Sequence, residues 1–179
     1  MERVPTMREL IESVVTGDGG APTDPPKFDV NRFKDSILAP ENSGKRNYAA
    51  LNPQSSATGA YQILYTPNKD TLRDQFGINS RQDFASNHKA QESFMNMLVD
   101  GYRADAADLQ KEYAPQLGKK MLKEHEIMAL VHFLGRQRTR EYLGYVLRDG
   151  RDEASILPEG YANLLPSVYL KKFNDAWNQ

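Results

Sequence analysis

Hydrophobic positions along the chain recur mostly at the spacing of amphipathic helices. The most apolar segment is LKEHEIMALVHFL, residues 122–134, and Gly135 after it is a residue type that commonly follows a helix. The same spacing predicts helices over about 66–76, 139–147 and 167–177, the last capped by Ser167. Ser80 should cap a turn, and a longer helix should follow from about 87, interrupted by Gly101. We find no alternating strand pattern of any length and no internal repeat. The pattern therefore predicts an all-α globular domain of several short helices.

The N-terminal part has a different character from the rest. Thr6 and Glu9 fit a capping box ahead of a short amphipathic helix. The following TGDGGAPTDPP, residues 16–26, is too rich in glycine and proline for regular structure. We predict a helix and linker over 1–27 and a main domain over 28–179. A first helix packed on that domain fits the same pattern equally well.

The main domain opens with a helix that ends beside an acid. Asp29 is a suitable N-cap, and Val30, Phe33, Ile37 and Leu38 share the face that we expect to be buried. Pro40 disfavours helical geometry at the residue before it, so the helix should end or kink there. Glu41 then lies at a helix C-terminus, where the helix dipole disfavours an anion. Together with burial, this position would keep the carboxyl protonated, as a general acid requires.

Composition narrows the possible functions. The 179 residues suit one domain, and the formal net charge of −1 argues against a nucleic-acid partner. No stretch is apolar enough for a membrane span. There are no cysteines, and the three histidines lack close ligand spacing, so we expect no structural zinc site. The first residues lack the features of a secretory signal, and we expect synthesis in a cytoplasm.

Two further segments carry candidate chemistry. SGKRNYAALNPQSSATGAYQIL, residues 43–64, is rich in the amide, hydroxyl and aromatic groups that bind sugars, although the pattern alone slightly favours a solvent-exposed loop. Gln62 lies between apolar residues and needs partners if it is buried. ALVHFLGRQRTREYL, residues 129–143, indicates a core helix, a glycine stop and a second helix. On that apolar face, His132 is more typical of a core histidine than of a catalyst.

Taken together, the order and spacing of these segments resemble the lysozyme-like domain of the soluble-lytic-transglycosylase type, related to goose-type lysozyme. Glu41 matches the catalytic glutamate of that family, and Gln62 matches the glutamine of its Gly-x-x-Gln turn. VHFLG, residues 131–135, lies where the family's Ala-Tyr-Asn-Ala-Gly motif would fall, and Glu141-Tyr142-Leu143 follows. The HFLG variant is similar to members carried by phage tails and virions. The likeness covers about 30–145, and Asn42 stands where the family usually has serine.

The resemblance implies cleavage of the β-1,4 bond between N-acetylmuramic acid and N-acetylglucosamine in peptidoglycan. Glu41 would act as both acid and base, while the C6 hydroxyl of the muramic acid attacks C1 and forms a 1,6-anhydro ring. No second carboxylate belongs to a motif, and the implied mechanism needs no metal and no organic cofactor. The candidate substrate-binding residues are Ser43, Ser56, Tyr61, Gln62, His132, Phe133 and Tyr142.

The implied partners are peptidoglycan glycan strands and, through residues 1–27, phage virion or tail proteins. We accordingly expect a virion component or a protein released to act on the periplasmic cell wall. Two other functions stay open from the sequence. One is a hydrolytic muramidase, in which Ser56, Thr58 or an unrecognised acid orients a water. The other is a structural or glycan-binding virion protein without activity.

Overall fold

The computed structural model describes residues 28–157 and 165–179, and the predicted N-terminal helix and linker lie outside these ranges. Within them the chain is mostly helical, which confirms the all-α class. The seven α-helices are α1 (Val30–Asn42), α2 (Tyr65–Phe76), α3 (Arg81–Ser86), α4 (His88–Leu117), α5 (Glu124–Leu134), α6 (Arg136–Glu141) and α7 (Pro166–Trp177). Short 3₁₀ segments span Gly118–Lys120 and Glu153–Ile156, and a π-helical segment spans Tyr142–Arg148. Strands β1 (Ala57–Thr58) and β2 (Ile63–Leu64) form an antiparallel hairpin, with Thr58 paired to Ile63.

Helix α5 is the centre of the packing, since α4, α6 and α7 all contact it. Its apolar composition explains this central position, because a helix that is hydrophobic on most sides has to be packed against other elements on most sides. Helix α7 also packs along α1. The fully buried side chains that helices α1, α4, α5 and α7 contribute to the core include Phe33, Ile37, Phe94, Met95, Ile127, Met128, Leu130, Tyr169 and Phe173. This packing brings the C-terminal end of α1 against α5 and α7.

Several local predictions are confirmed. The Asp29 carboxylate accepts a hydrogen bond from the Arg32 amide at 2.9 Å and caps α1. The Ser80 hydroxyl caps α3 in the same way, by accepting from the Asp83 amide at 3.0 Å. Gly135 ends α5 with a φ of 78°, a conformation that favours glycine. These three signals depend only on neighbouring residues, so the sequence alone was sufficient for them.

Tertiary packing overrides other local signals. Helix α1 continues through Pro40 to Asn42, because the proline removes a single backbone donor while Ile37 and Leu38 remain buried. Helix α4 runs unbroken through Gly101. The predicted helix over 139–147 is instead α6 followed by the π-helical segment.

The last helix also starts differently from the prediction. It begins at Pro166, so Ser167 is not its cap but lies in its first turn. There the Ser167 hydroxyl donates to Glu153 Oε1 at 2.6 Å. Proline is well suited to the first helical position, since its missing N–H has no partner there anyway.

Candidate active site

Glu41 lies in the last turn of α1 with only 17% of its side chain exposed. The Tyr169 hydroxyl on α7 donates a hydrogen bond to Glu41 Oε1 at 2.9 Å. Burial raises the pKa of Glu41 to about 7, and the hydrogen bond from Tyr169 lowers it in part. Both the protonated and the ionised form of Glu41 are therefore accessible near neutral pH, so the group can both give and take a proton.

His132 on α5 is the nearest ionisable neighbour of this carboxyl. Its Nε2 lies 3.6 Å from Glu41 Oε1 and 2.9 Å from the carbonyl oxygen of Tyr61. A carbonyl only accepts hydrogen bonds, so Nε2 carries the hydrogen and donates it to Tyr61. Nδ1 then accepts from the Tyr102 hydroxyl at 3.1 Å.

The protonation state of His132 follows from these contacts and from burial. Burial lowers the pKa of His132 to about 4, against an opposing contribution from the Tyr61 carbonyl. The imidazole is therefore neutral at neutral pH. It fills the space beside Glu41 without forming an ion pair that would hold the carboxyl ionised.

Tyr169 contacts Glu41 through its hydroxyl and Phe133 through its ring. Its side chain is fully buried, and its ring stacks on Phe133 of α5 with 4.3 Å between centroids and 9° between planes. Burial raises the pKa of Tyr169 well above the usual value, and the negative charge of Glu41 adds to this effect. The hydroxyl therefore remains a donor to Glu41.

The hairpin is fixed beside Glu41 by amide side chains. Asn42 Nδ2 donates to the carbonyls of Gly59 and Ala60. Gln91 on α4 is buried, and its Oε1 accepts from the Ala60 amide at 3.1 Å. Gly59 has a φ of 78° and lies directly against the Gln91 amide, where a Cβ would overlap it. These contacts tie the end of α1, the hairpin and α4 into one unit.

Gln62 and Tyr61, two of the predicted substrate-binding residues, lie in the hairpin segment and differ from each other in burial. Gln62 is half-buried in a left-handed conformation with a φ of 50°, and its Nε2 donates to the Gly59 carbonyl at 2.9 Å. Tyr61 is fully buried, and its hydroxyl donates to Glu92 Oε1 at 2.7 Å. The prediction that the Tyr61 ring faces a sugar disagrees with this burial. The contact of Tyr61 with the site is through its carbonyl, which orients His132.

Two depressions open beside His132. One has a volume of about 260 Å³ and is lined by Leu64, Val131, His132, Phe133, Leu134, Gly135, Arg138 and Leu157. The other, of about 120 Å³, is lined by Gln62, Ile63, Leu64, Pro67, Asn68, Leu98, Tyr102 and His132. Leu64 and His132 are common to both. The predicted residues Gln62, His132 and Phe133 thus line two adjoining surfaces, and Glu41, which lines neither, lies behind them in contact with His132 and Tyr169.

The other predicted residues lie elsewhere. Ser43 is exposed at the end of α1 and lines a separate depression with Lys172 of α7. The Ser56 hydroxyl accepts from the Thr66 amide at 3.2 Å, a local contact at the start of α2. Tyr142 is buried, and its pKa is raised to about 12 by burial and then by the charges of Glu153 and Glu126. No described contact joins these three residues to Glu41.

Sequence reasoning missed Tyr169 and gave Tyr102 no role. Tyr169 precedes Phe173 by four positions, which places it on the buried face of α7, and this much is visible in the pattern. Its partner Glu41 is 128 positions away in the chain. Nothing local indicates that pairing.

A second carboxylate, Glu92 on α4, belongs to a separate buried polar cluster. It accepts from the hydroxyls of Tyr48 at 2.6 Å and Tyr61 at 2.7 Å, and it pairs with Lys34 and Arg46. Burial alone would raise the pKa of Glu92, but the hydrogen bonds from Lys34 and the two tyrosines lower it to about 2. An acid held ionised in this way is not suited to donate a proton. Over 28–157 and 165–179, no group of three or more histidine and acidic side chains forms a metal site.

Comparisons with known proteins do not assign this site. No family model matches the chain, and no curated protein and no solved structure matches it significantly. None of the helices described in 28–157 and 165–179 is long and apolar enough to cross a membrane.

Proposed function

We propose that the protein cleaves the glycan strands of peptidoglycan as a lytic transglycosylase, with Glu41 as its single acid and base. The observation that carries the proposal is the state of Glu41. Its carboxyl is largely buried with a pKa raised to about 7, it accepts a hydrogen bond from Tyr169, and it adjoins a neutral His132. These are the properties of a group that donates a proton and recovers it near neutral pH.

The first step is protonation of the glycosidic oxygen. Tyr169 occupies Oε1, so the other oxygen, Oε2, carries the proton to the leaving 4-oxygen of N-acetylglucosamine. The bond from that oxygen to C1 of N-acetylmuramic acid breaks. The Tyr169 hydroxyl then stabilises the carboxylate that remains, since hydrogen bonds to charged acceptors are stronger than those to neutral ones.

The second step returns the proton. The Glu41 carboxylate takes the proton of the muramic C6 hydroxyl as its oxygen attacks C1 and closes the 1,6-anhydro ring. One proton leaves Glu41 and one returns, and no water is consumed. A two-carboxylate mechanism would need a second acid beside the first, and the side-chain polar contacts of Glu41 within the described residues are with Tyr169 and His132, neither of which is a carboxylate.

Digestion of purified peptidoglycan with mass analysis of the soluble products tests this function. Anhydro-muramic products, lighter than reducing-end products by one water, are the expected result. Products of ordinary mass would identify a hydrolytic muramidase instead. Absence of any cleavage would contradict enzymatic activity and favour a structural or glycan-binding role.

The variant Glu41→Gln keeps the size and hydrogen bonding of the side chain but has no proton to donate. We expect turnover to fall by about 10²- to 10⁴-fold, the usual contribution of a general acid, while glycan binding and the helical circular dichroism spectrum persist. Turbidity clearance at the wild-type rate would remove Glu41 from the mechanism.

A further inference from the structure

The larger depression beside His132 has an unusual lining. Apart from the neutral His132, its walls are the apolar side chains of α5, β2 and Leu157, and Arg138 of α6 is its one cation. Its volume of about 260 Å³ is slightly below the roughly 300–1,000 Å³ of pockets for drug-sized ligands. A space of this size accommodates one ring with a small substituent.

Arg138 differs from the arginines on either side of it in the same helix. Arg136 pairs with Asp105 at 2.7 Å and with Asp108 at 3.0 Å. Arg140, on the other side, pairs with Glu112 at 2.8 Å. Within the described parts of the chain, no carboxylate lies within ion-pairing distance of Arg138. Arg138 as a whole residue is exposed, and it lines the depression.

We infer that this depression binds a carboxylate carried beside a small apolar group on the glycan strand, with Arg138 as the residue that recognises the charge. The inference rests on the proposed function and names a specificity residue for it. A guanidinium matches a carboxylate geometrically because two parallel N–H groups meet its two oxygens. The apolar walls formed by Leu64, Phe133 and Leu157 would cover the neighbouring methyl group.

Muramic acid supplies this chemistry in two ways. Its lactyl ether holds a methyl group next to a carboxylate when no peptide is attached. When a peptide is attached, the lactyl group becomes an amide, and the nearest carboxylates belong to the peptide. Both sources place an anion beside an apolar group, so the experiment has to separate them.

The test measures binding to the inactive Glu41→Gln protein by calorimetry. The first ligand is a peptide-free tetrasaccharide of alternating N-acetylglucosamine and N-acetylmuramic acid with free lactyl carboxylates. The second is the same tetrasaccharide with the carboxylates converted to methylamides, and the third carries the native peptides. A preference for the first ligand over the second identifies the lactyl carboxylate as the recognised group. A preference confined to the third identifies the peptide.

Adding Arg138→Gln should remove the preference for the acidic ligand, a loss of about five-fold in affinity, and leave the methylamide unaffected. This magnitude corresponds to about 1 kcal/mol, the upper range for a solvent-exposed ion pair. The preference should also shrink in 1 M salt, where the Debye length is only about 3 Å.

Arg136→Gln is the matched control, since it removes the same charge from the same helix but from a residue already paired with two aspartates. It should retain the preference. An unchanged preference in Arg138→Gln, or an equal loss in both variants, would overturn the inference. If the Glu41→Gln protein binds none of the three ligands, the proposed function itself fails, which is a distinguishable result.

Discussion

Glu41 and His132 lie 3.6 Å apart, and burial moves their pKa values in opposite directions. The pKa of the Glu41 carboxyl rises to about 7 and the pKa of the His132 imidazole falls to about 4. The carboxyl therefore has the higher pKa of the two, the reverse of the usual order. Desolvation disfavours the charged form of each group. The pair therefore exists as a neutral acid beside a neutral imidazole between these pH values, and the proton resides on the residue that the proposed mechanism requires.

This arrangement has a measurable effect on stability. The raised pKa of Glu41 contributes stability that is fully present below about pH 4.5 and lost as the pH rises to 7. The lowered pKa of His132 contributes stability that is present above pH 6.5 and lost as the pH falls toward 4. The two contributions oppose each other over the same range.

Single variants should separate them. The free energy of unfolding of Glu41→Gln, relative to wild type, should increase with pH between 4.5 and 7, while that of His132→Gln should decrease between 4 and 6.5. Each slope should approach about 1.4 kcal/mol per pH unit. Urea titrations at several pH values measure both. Between pH 4.5 and 6.5 the two contributions cancel in the wild type, so the difference between the double variant and wild type should not depend on pH there. Reversed slopes in the single variants would indicate an ion pair instead.

Tyr169 has a testable effect on the same carboxyl. Tyr169→Phe removes a hydrogen bond that lowers the pKa of Glu41 and leaves the burial that raises it. The pKa should therefore rise, by about one unit if the bond is worth about 1.5 kcal/mol. The alkaline limb of the pH–activity profile should move to higher pH. The midpoint of the pH titration of the Glu41 carboxyl carbon, followed by NMR, should move in the same direction. Tyr142→Phe, which alters a buried tyrosine without contact to Glu41, should leave both in place.

At the scale of elements, the site is assembled from the ends of α1 and α5, the middle of α4, the start of α7, and the hairpin. Each element offers one or two polar groups, and each is held by apolar packing on its other face. The hairpin has only two residues in each strand and is held to its neighbours by Asn42 and Gln91. Its position therefore depends on close contact with α4.

The glycine in that contact provides a test. Gly59→Ala introduces a methyl group that overlaps the Gln91 amide and also strains a residue with a φ of 78°. Gly77→Ala introduces the same kind of strain at a φ of 68° but into open space. We expect the free energy of unfolding to fall by about 1–2 kcal/mol in Gly77→Ala. In Gly59→Ala it should fall by about 1–3 kcal/mol more, because of the overlap with Gln91. Equal urea midpoints would show that the hairpin does not pack closely on Gln91.

At the scale of the whole molecule, the cluster around Glu92 connects parts of the chain that are distant in sequence. It joins Lys34 of α1, Arg46 and Tyr48 of the following loop, Tyr61 of the hairpin and Glu92 of α4. Lys34 is almost completely buried, with 5% of its side chain exposed. A buried cation of this kind depends on its partner's charge.

Removing that charge should destabilise the whole fold. Glu92→Gln should cost about 2–4 kcal/mol at pH 7, because it leaves Lys34 buried without a counter-charge. Because the pKa of Glu92 is lowered to about 2, the difference from wild type should narrow as the pH falls from about 4.5 toward 2. Chemical denaturation across this range is the measurement. Glu124→Gln should cost no more than about 1 kcal/mol, since its pairing with Arg103 is exposed.

The sequence by itself determined the class of fold, most helix positions, the caps at Asp29 and Ser80 and the glycine that ends α5. These features depend on residues within a few positions of one another, and periodicity and capping chemistry are sufficient to read them. The candidates Glu41, Gln62, His132 and Phe133 came instead from the resemblance to the lytic-transglycosylase domain, which rests on the order and spacing of three segments and not on any one residue.

Only the tertiary structure decided which groups meet. The donor to Glu41 is Tyr169, 128 positions away, and the hydroxyl of Tyr61 is directed to Glu92 rather than to a cleft. The continuation of α1 through Pro40 and of α4 through Gly101 was likewise decided by burial. The physical reason is the same throughout. The desolvation that sets the protonation of Glu41 and His132 comes from helices that pack together only in the folded chain.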